Sequence, residues 1–178
     1  MQDQQYTLQN SELIFSEYFK IRRNTYLTPE NKNKTYHVLD TPEAAIVLAI
    51  TKDKQVVLVK QFRGGAADFV VELPAGRVEK GETSIEGAKR ELLEETGYDG
   101  DLEFICTMSK GHSNSGLLQV FFCDNAYLKQ APEHTDFEQG MEVILQPLKE
   151  FINDLMNSDL VQNKPAAFAA LYKKNIHN

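Results

Sequence analysis

Two apolar runs set four residues apart constrain this chain more than any other feature. Residues 43–50 read EAAIVLAI and residues 55–62 read QVVLVKQF, with Lys52, Asp53 and Lys54 in the turn between them. Runs so rich in apolar residues suit a largely buried sheet, so the pair predicts a hairpin there. Further strands are expected at 68–73, 102–108, 117–123 and 141–148. Helices are expected at about 84–96, 148–156 and 164–175, the last with Pro165 in its first turn. Upstream, residues 15–27 and 34–40 are aromatic and β-branched runs separated by the turn-rich TPENKNK. They predict a small antiparallel β subdomain over residues 1–42, followed by a mixed α/β domain over residues 43–178.

A length of 178 residues suits one full core with a small accessory piece. The net charge of -7 argues against a duplex nucleic-acid binder, which needs a concentrated basic surface to displace phosphate counterions. The polar start MQDQQYTLQN lacks the order of a signal peptide, and no apolar run approaches the roughly 20 residues that span a bilayer. A cytoplasmic protein without membrane partners is therefore expected. Cys106 and Cys123 lack the CxxC spacing of a zinc or redox site and read as buried free thiols.

The chemistry concentrates in one helix. Thr83 and Glu86 form a T-x-x-E capping pattern and Gly97 suits a left-handed terminator. Ile85, Ala88 and Leu92 follow the spacing of a core-facing stripe, while Glu91, Glu94 and Glu95 gather on another side. Like charges one turn apart cost about 0.2 to 0.5 kcal/mol per pair unless a counter-charge offsets them. A hard divalent cation would do so, and Mg²⁺ favours a few carboxylates together with waters and substrate phosphates. The bland alternative is a solvated acidic face balanced by Lys89 and Arg90.

The flanks favour the metal. Residues 76–98 read GRVEKGETSIEGAKRELLEETGY, which fits G-x5-E-x7-R-E-U-x-E-E-x-G-U with U bulky and apolar. Gly76, Glu82, Arg90, Glu91, Glu94, Glu95 and Gly97 fill the fixed positions, and Leu92 and Tyr98 the apolar ones. At ordinary residue frequencies a chance match in a chain of this size is rarer than about one in a million. The segment resembles the Nudix box. The resemblance implies a Nudix fold, an α/β/α sandwich around a mixed sheet, and hydrolysis of a nucleoside diphosphate linked to another moiety. It also implies Mg²⁺, with Mn²⁺ as a substitute, held by Glu91 and Glu95, with Glu94 assisting directly or through water and the carbonyl of Ala75 completing the shell. Glu94 and Glu95 are thereby candidate catalytic residues. Gly76, Glu82, Arg90 and Gly97 are implied to be structural, with Arg90 orienting the carboxylates and Glu82 placed to hold the loop or, as the less favoured alternative, to join the metal site.

Residues 60–76, KQFRGGAADFVVELPAG, resemble the segment preceding the box in the ADP-ribose and nucleoside diphosphate sugar pyrophosphatase branch. That likeness gives Arg63 the diphosphate and Glu72 a contact with substrate or metal-bound water; a guanidinium fork suits a diphosphate. It further implies a homodimer built through the N-terminal strands. Arg22, Arg23, Tyr18, Phe19 and Tyr26 would then help to hold a nucleoside, although aromatics so spaced also serve as packing.

Two departures matter. Ser109-Lys110-Gly111 stands where the branch has S-P-G. In HTDFEQGMEV, residues 134–143, Gln139 stands where an acid is expected, leaving Glu138, Glu142 or water activated by the metal alone as the base. The expected activity is cleavage of ADP-ribose or a related nucleoside diphosphate sugar to a nucleoside monophosphate and a sugar phosphate. The alternatives are another diphosphate, such as GDP-mannose, NADH or a dinucleoside polyphosphate, or a Nudix-fold sensor that binds without cleaving. A calcium-binding protein is disfavoured because no D-x-D-x-D-G loop occurs.

Overall fold

The computed structural model describes residues 5–17, 19–133, 140–157 and 163–176. Two compact units emerge, one comprising Met1–Glu43 with Ser109–Leu117, the other Ala44–Met108 with Leu118–Asn178.

The first unit is built on a three-stranded antiparallel sheet, β1 (Thr7–Ser16), β2 (Lys20–Leu27) and β3 (Asn33–Leu39), in that spatial order. The sequence run 15–27 is thus divided between β1, which ends at Ser16, and β2, which begins at Lys20, and β1 was not expected. Its residues are mostly polar and every one is exposed, so it carries no inward-facing alternation; pairing with β2 makes it a strand. Ser109–Leu117 returns to this unit by backbone bonds. Leu39 N–H donates to Ser113 O (2.7 Å) and Ser115 N–H to Leu39 O (2.9 Å). Gly116 is needed where the chain passes Thr41, because a Cβ there would collide with the threonine hydroxyl.

The second unit is an α/β/α sandwich. Its sheet runs β11 (Glu142–Pro147), β5 (Gln55–Arg63), β4 (Ala44–Thr51), β10 (Leu117–Leu128), β8 (Tyr98–Asp99), with β6 (Asp68–Glu72), β7 (Ala75–Arg77) and β9 (Glu103–Ser109) pairing with β5, β4 and β10 respectively. β10 lies parallel to β4 and the β4–β5, β5–β6 and β5–β11 pairs are antiparallel, which makes the sheet mixed. The short β7 and β8 were not expected. Two or three residues hold no readable alternation, and these exist through their partners.

The apolar hairpin explains the layers. Along β4, Ile46, Leu48 and Ile50 pack with Phe151 and Leu155 of α2 (Leu148–Asn157) and Ala166, Ala167, Ala170 and Leu171 of α3 (Lys164–Lys173). The intervening Ala45, Val47 and Ala49 pack on the other face with Ala88 and Leu92 of α1 (Ser84–Thr96). Burying one such Leu, Ile or Phe stabilises the fold by about 1.5 to 3 kcal/mol, so a strand apolar at every position requires helices on both sides. Helix α3 stops two residues short of the expected end. Cys123 is buried, Cys106 half-buried, and both are free. Burial pushes the Cys123 thiol above its usual range. Among the described residues no helix is long and apolar enough to cross a membrane.

Candidate active site

Helix α1 is fixed at both ends as its sequence dictates. Thr83 Oγ1 accepts from Glu86 N–H while the Glu86 carboxylate accepts from Thr83 N–H (2.7 Å), closing a capping box. At the other end Gly97 takes a left-handed φ of 76° and donates to Leu93 O (2.8 Å). Ala88 and Leu92 face the sheet as expected, but Ile85 is 39% exposed. It lies in the first turn, beyond the sheet's cover.

The acids are not a solvated face. Glu91 and Glu95 are buried, at 9% and 4% exposure, although Glu94 remains more open. Arg90 gathers the acids and uses all three of its nitrogens. Nε donates to Glu82 Oε2 (3.2 Å), Nη1 to Glu91 Oε1 (2.8 Å) and Glu94 Oε2 (3.0 Å), and Nη2 to Glu82 Oε1 (2.8 Å) and Arg77 O (2.8 Å). Glu82 also accepts from Glu79 N–H, closing the loop that enters the helix. These bonds, the Arg90 guanidinium foremost, hold the Glu82 carboxyl below its usual range. The same contacts, Glu82 first, push the Arg90 pKa still higher than usual.

Strand β7 brings the backbone to the helix. Ala75 pairs with Ile46 of β4 and its N–H donates to Glu95 Oε2 (2.9 Å). Next to it, a Cβ built on Gly76 would fall on the Glu91 carboxylate. Glycine therefore leaves the space this carboxylate uses, a reason for the motif's first residue that spacing alone does not reveal.

The hard Mg²⁺ ion implied by the motif requires oxygen donors, and the buried carboxylates beside a glycine-cleared backbone supply them. The donor chemistry fits. As they stand, Glu91 and Glu94 are turned to Arg90 and Glu95 to Ala75 N–H, and among the described residues no three His, Cys, Asp or Glu side chains are gathered to hold an ion. An ion held there would exchange some of these contacts for metal bonds.

A second cluster forms on the hairpin of β5 and β6. Glu72 is buried and its Oε2 accepts from Arg63 Nε (2.7 Å) and Gln61 Nε2 (3.1 Å), with Arg63 Nη2 also 2.7 Å away. The Arg63 side chain is 49% exposed. From sequence alone Gln61 had no role; its signal was an amide two residues before Arg63, the alternation that puts both on one face of the strand.

The other expected residues are placed as follows. In the first unit Arg23 pairs with Glu12 (2.7 Å) and Arg22 with Asp40 (2.8 Å), whose carboxyl is held below its usual range mainly by that arginine. Tyr26 meets Tyr36 edge to face, with ring centroids 5.9 Å apart, and Phe19 is exposed. A cavity of about 340 Å³ within this unit is lined by Tyr6, Tyr26, Tyr36, His37 and His112 among others. Only Tyr26 of these was singled out beforehand; the rest come together through strand pairing and the returning segment. Glu142 lies on β11, exposed, with Lys60 4.0 Å away. Tyr18, Glu138 and Gln139 lie outside the described residues.

Comparison with known proteins agrees with this geometry. The family model described as NUDIX domain matches residues 40–161. An ADP-ribose pyrophosphatase of Bacillus subtilis is 30% identical over 148 residues, covering 81% of this chain and 78% of that one. An ADP-sugar pyrophosphatase of Mus musculus is 34% identical over 169 residues, covering 83% and 77%. A solved structure described as an ADP compounds hydrolase superposes with a TM-score of 0.81 over 98% of both chains at 20% identity, a likeness of fold.

Proposed function

Because the chain belongs to the NUDIX domain family, we propose that it is a Mg²⁺-dependent pyrophosphohydrolase cleaving ADP-ribose or a related nucleoside diphosphate sugar to a nucleoside monophosphate and a sugar phosphate. The observation that carries this reading is the burial of Glu91 and Glu95 against the Ala75–Gly76 backbone, which an acidic surface helix has no reason to adopt. The pyrophosphatase names of the two relatives support the substrate class.

In this proposal Glu91 and Glu95 are the main ligands, Glu94 assists, and the Ala75 carbonyl completes the protein's share of the shell. When bound, the ion would lower the pKa of water and neutralise charge on the phosphoryl oxygens. The chain's own residues do the positioning. Arg90 keeps the three glutamates of its cluster oriented, Ala75 N–H fixes Glu95, and Glu72 anchors Arg63 by its Nε edge so that the rest of the guanidinium faces the diphosphate. Glu138 is proposed as the proton acceptor in place of Gln139. Glu142, solvated on its strand and near Lys60, is the weaker candidate.

A homodimer is part of the same proposal. Leu8, Leu13, Ile14 and Phe15 of β1 are each more than two-fifths exposed, apolar surface that a partner would cover. Removing residues 1–42 should yield monomer or aggregate, and a fully active monomer of the intact protein in sedimentation would remove this element. A cytoplasmic setting fits the two free cysteines.

A substrate panel with Mg²⁺ tests the reading: ADP-ribose, an ADP-hexose, GDP-mannose, NADH and a dinucleoside polyphosphate. The highest kcat/KM is expected for ADP-ribose or the ADP-hexose. Preference for another compound would reassign the substrate, and tight binding of ADP-ribose without turnover would make the protein a sensor.

A further inference from the structure

We propose that Gln61 is a positioning residue, holding Glu72 so that Glu72 in turn aims the Arg63 guanidinium at the substrate diphosphate. The inference rests on the reading of Arg63 as the diphosphate-facing cation and extends it to a residue that touches no substrate.

The register of the hairpin makes the arrangement. Val59 stands opposite Glu72, Gln61 opposite Val70 and Arg63 opposite Asp68, so Gln61, Arg63 and Glu72 share one face of the β5–β6 pair. Gln61 is buried at 8% exposure and Glu72 at 7%. One oxygen, Glu72 Oε2, receives Gln61 Nε2 at 3.1 Å and Arg63 Nε at 2.7 Å, with Arg63 Nη2 at 2.7 Å. Arg63 thus spends one edge on the carboxylate. Among the described residues its Nη1 has no hydrogen-bond partner, and that edge is the one left to meet an anion.

The direction of the remaining edge depends on where Glu72 stands. Arg63 alone is a poor anchor because its side chain is half exposed, and a joined Arg63–Glu72 pair would be able to swing as a unit. Gln61 comes from the buried part of β5, flanked on its face by Val59. Its amide is a neutral donor, so it fixes the carboxylate without supplying a second cation that would compete with Arg63 for its charge. A lysine here would draw Glu72 away, and a leucine would leave it pinned by the arginine it is meant to aim.

The test is a double-mutant cycle read in binding and turnover. ADP, a diphosphate the proposed reaction leaves intact, serves as the binding probe by calorimetry with Mg²⁺ present, and ADP-ribose as the substrate. Gln61→Leu should weaken ADP binding and raise KM by about tenfold, the lower end of what loss of a supporting hydrogen bond costs a site. The kcat should stay within about twofold, since positioning of this kind acts on ground state and transition state alike. In the Arg63→Ala background the same change should alter ADP affinity by less than about twofold. A purely structural role would lower Tm and act equally in both backgrounds.

Unchanged ADP affinity in folded Gln61→Leu overturns the proposal, as does full additivity with Arg63→Ala or a fall in kcat at constant KM. Gln61→Met, of similar length, repeats the cycle if the leucine variant does not fold; failure of both to fold makes Gln61 a folding residue and overturns it. If the wild type binds ADP through Arg63 but leaves ADP-ribose intact, the substrate reading fails while the ADP cycle still decides the role of Gln61. Absence of ADP binding to the wild type overturns the Gln61 proposal itself.

Discussion

Two arginines organise carboxylates in this protein, and they do so in opposite ways. Arg90 spends all three nitrogens on Glu82, Glu91, Glu94 and the Arg77 carbonyl, and its side chain is only 25% exposed. Arg63 spends Nε and Nη2 on one oxygen of Glu72 and is 49% exposed. A guanidinium whose donors are all committed holds other residues in place. One with an edge to spare is equipped to hold a ligand. The difference is the basis for proposing a supporting role for one and a contacting role for the other, two residues of the same type within the same unit.

The largest effect should come from the acidic cluster on the helix that carries Arg90. Glu95→Gln keeps an oxygen to accept from Ala75 N–H but loses the negative charge, so kcat should fall about 10²-fold or more, some 2.7 kcal/mol of barrier, with the fold intact by circular dichroism. A kcat within about threefold of wild type at saturating Mg²⁺ would end the metal-ligand role of this residue.

Next in size is Arg90→Ala, which leaves Glu82 and Glu91 close together with no cation between them. A loss of about 2 kcal/mol is expected in urea unfolding, less than for a wholly buried pair because the arginine is partly solvated. Stability within 0.5 kcal/mol of wild type, on the scale of ordinary surface changes, would erase the contrast between the two arginines.

Arg63→Lys should do the reverse. Lysine retains the charge and loses the fork, so KM should rise about tenfold while kcat and the unfolding midpoint barely move. A drop in stability with no change in KM would make Arg63 a second Arg90.

The smallest effect concerns pH. The Glu82 carboxyl is held below its unfolded value near 4.5 by Arg90 first and Glu79 N–H second. Its contribution to stability is therefore fully present above about pH 4.5 and is lost as pH falls through the lower folded value. The pH dependence of unfolding below pH 4.5 should be shallower in Glu82→Gln than in wild type. Identical slopes would mean that this bond is not maintained in solution.

What could be read beforehand followed from local rules. The capped helix, the buried hairpin and the layers around it are periodicity and turn chemistry, visible in Thr83, Glu86 and Gly97 and in the unbroken apolar strands. Strand β1 was not legible, because an exposed, mostly polar segment becomes a strand only when β2 lies beside it. Ile85 followed the helical period yet stayed exposed, since a period fixes direction without saying how far the sheet extends. The Tyr6, Tyr36 and His112 cavity draws on residues far apart in sequence, and no spacing rule joins them.

By itself the sequence determined the family, through a motif in which seven residues of three types, glycine, glutamate and arginine, stand at fixed distances along one loop and helix. That is local information, carried by a chain whose helix geometry is set by its own hydrogen bonds. Only the tertiary structure decided which acids are buried, why Gly76 must lack a side chain, and that Gln61, Arg63 and Glu72 meet on one carboxylate oxygen. Those outcomes depend on strand register and on β7 closing against α1, interactions between segments whose partners are chosen by packing.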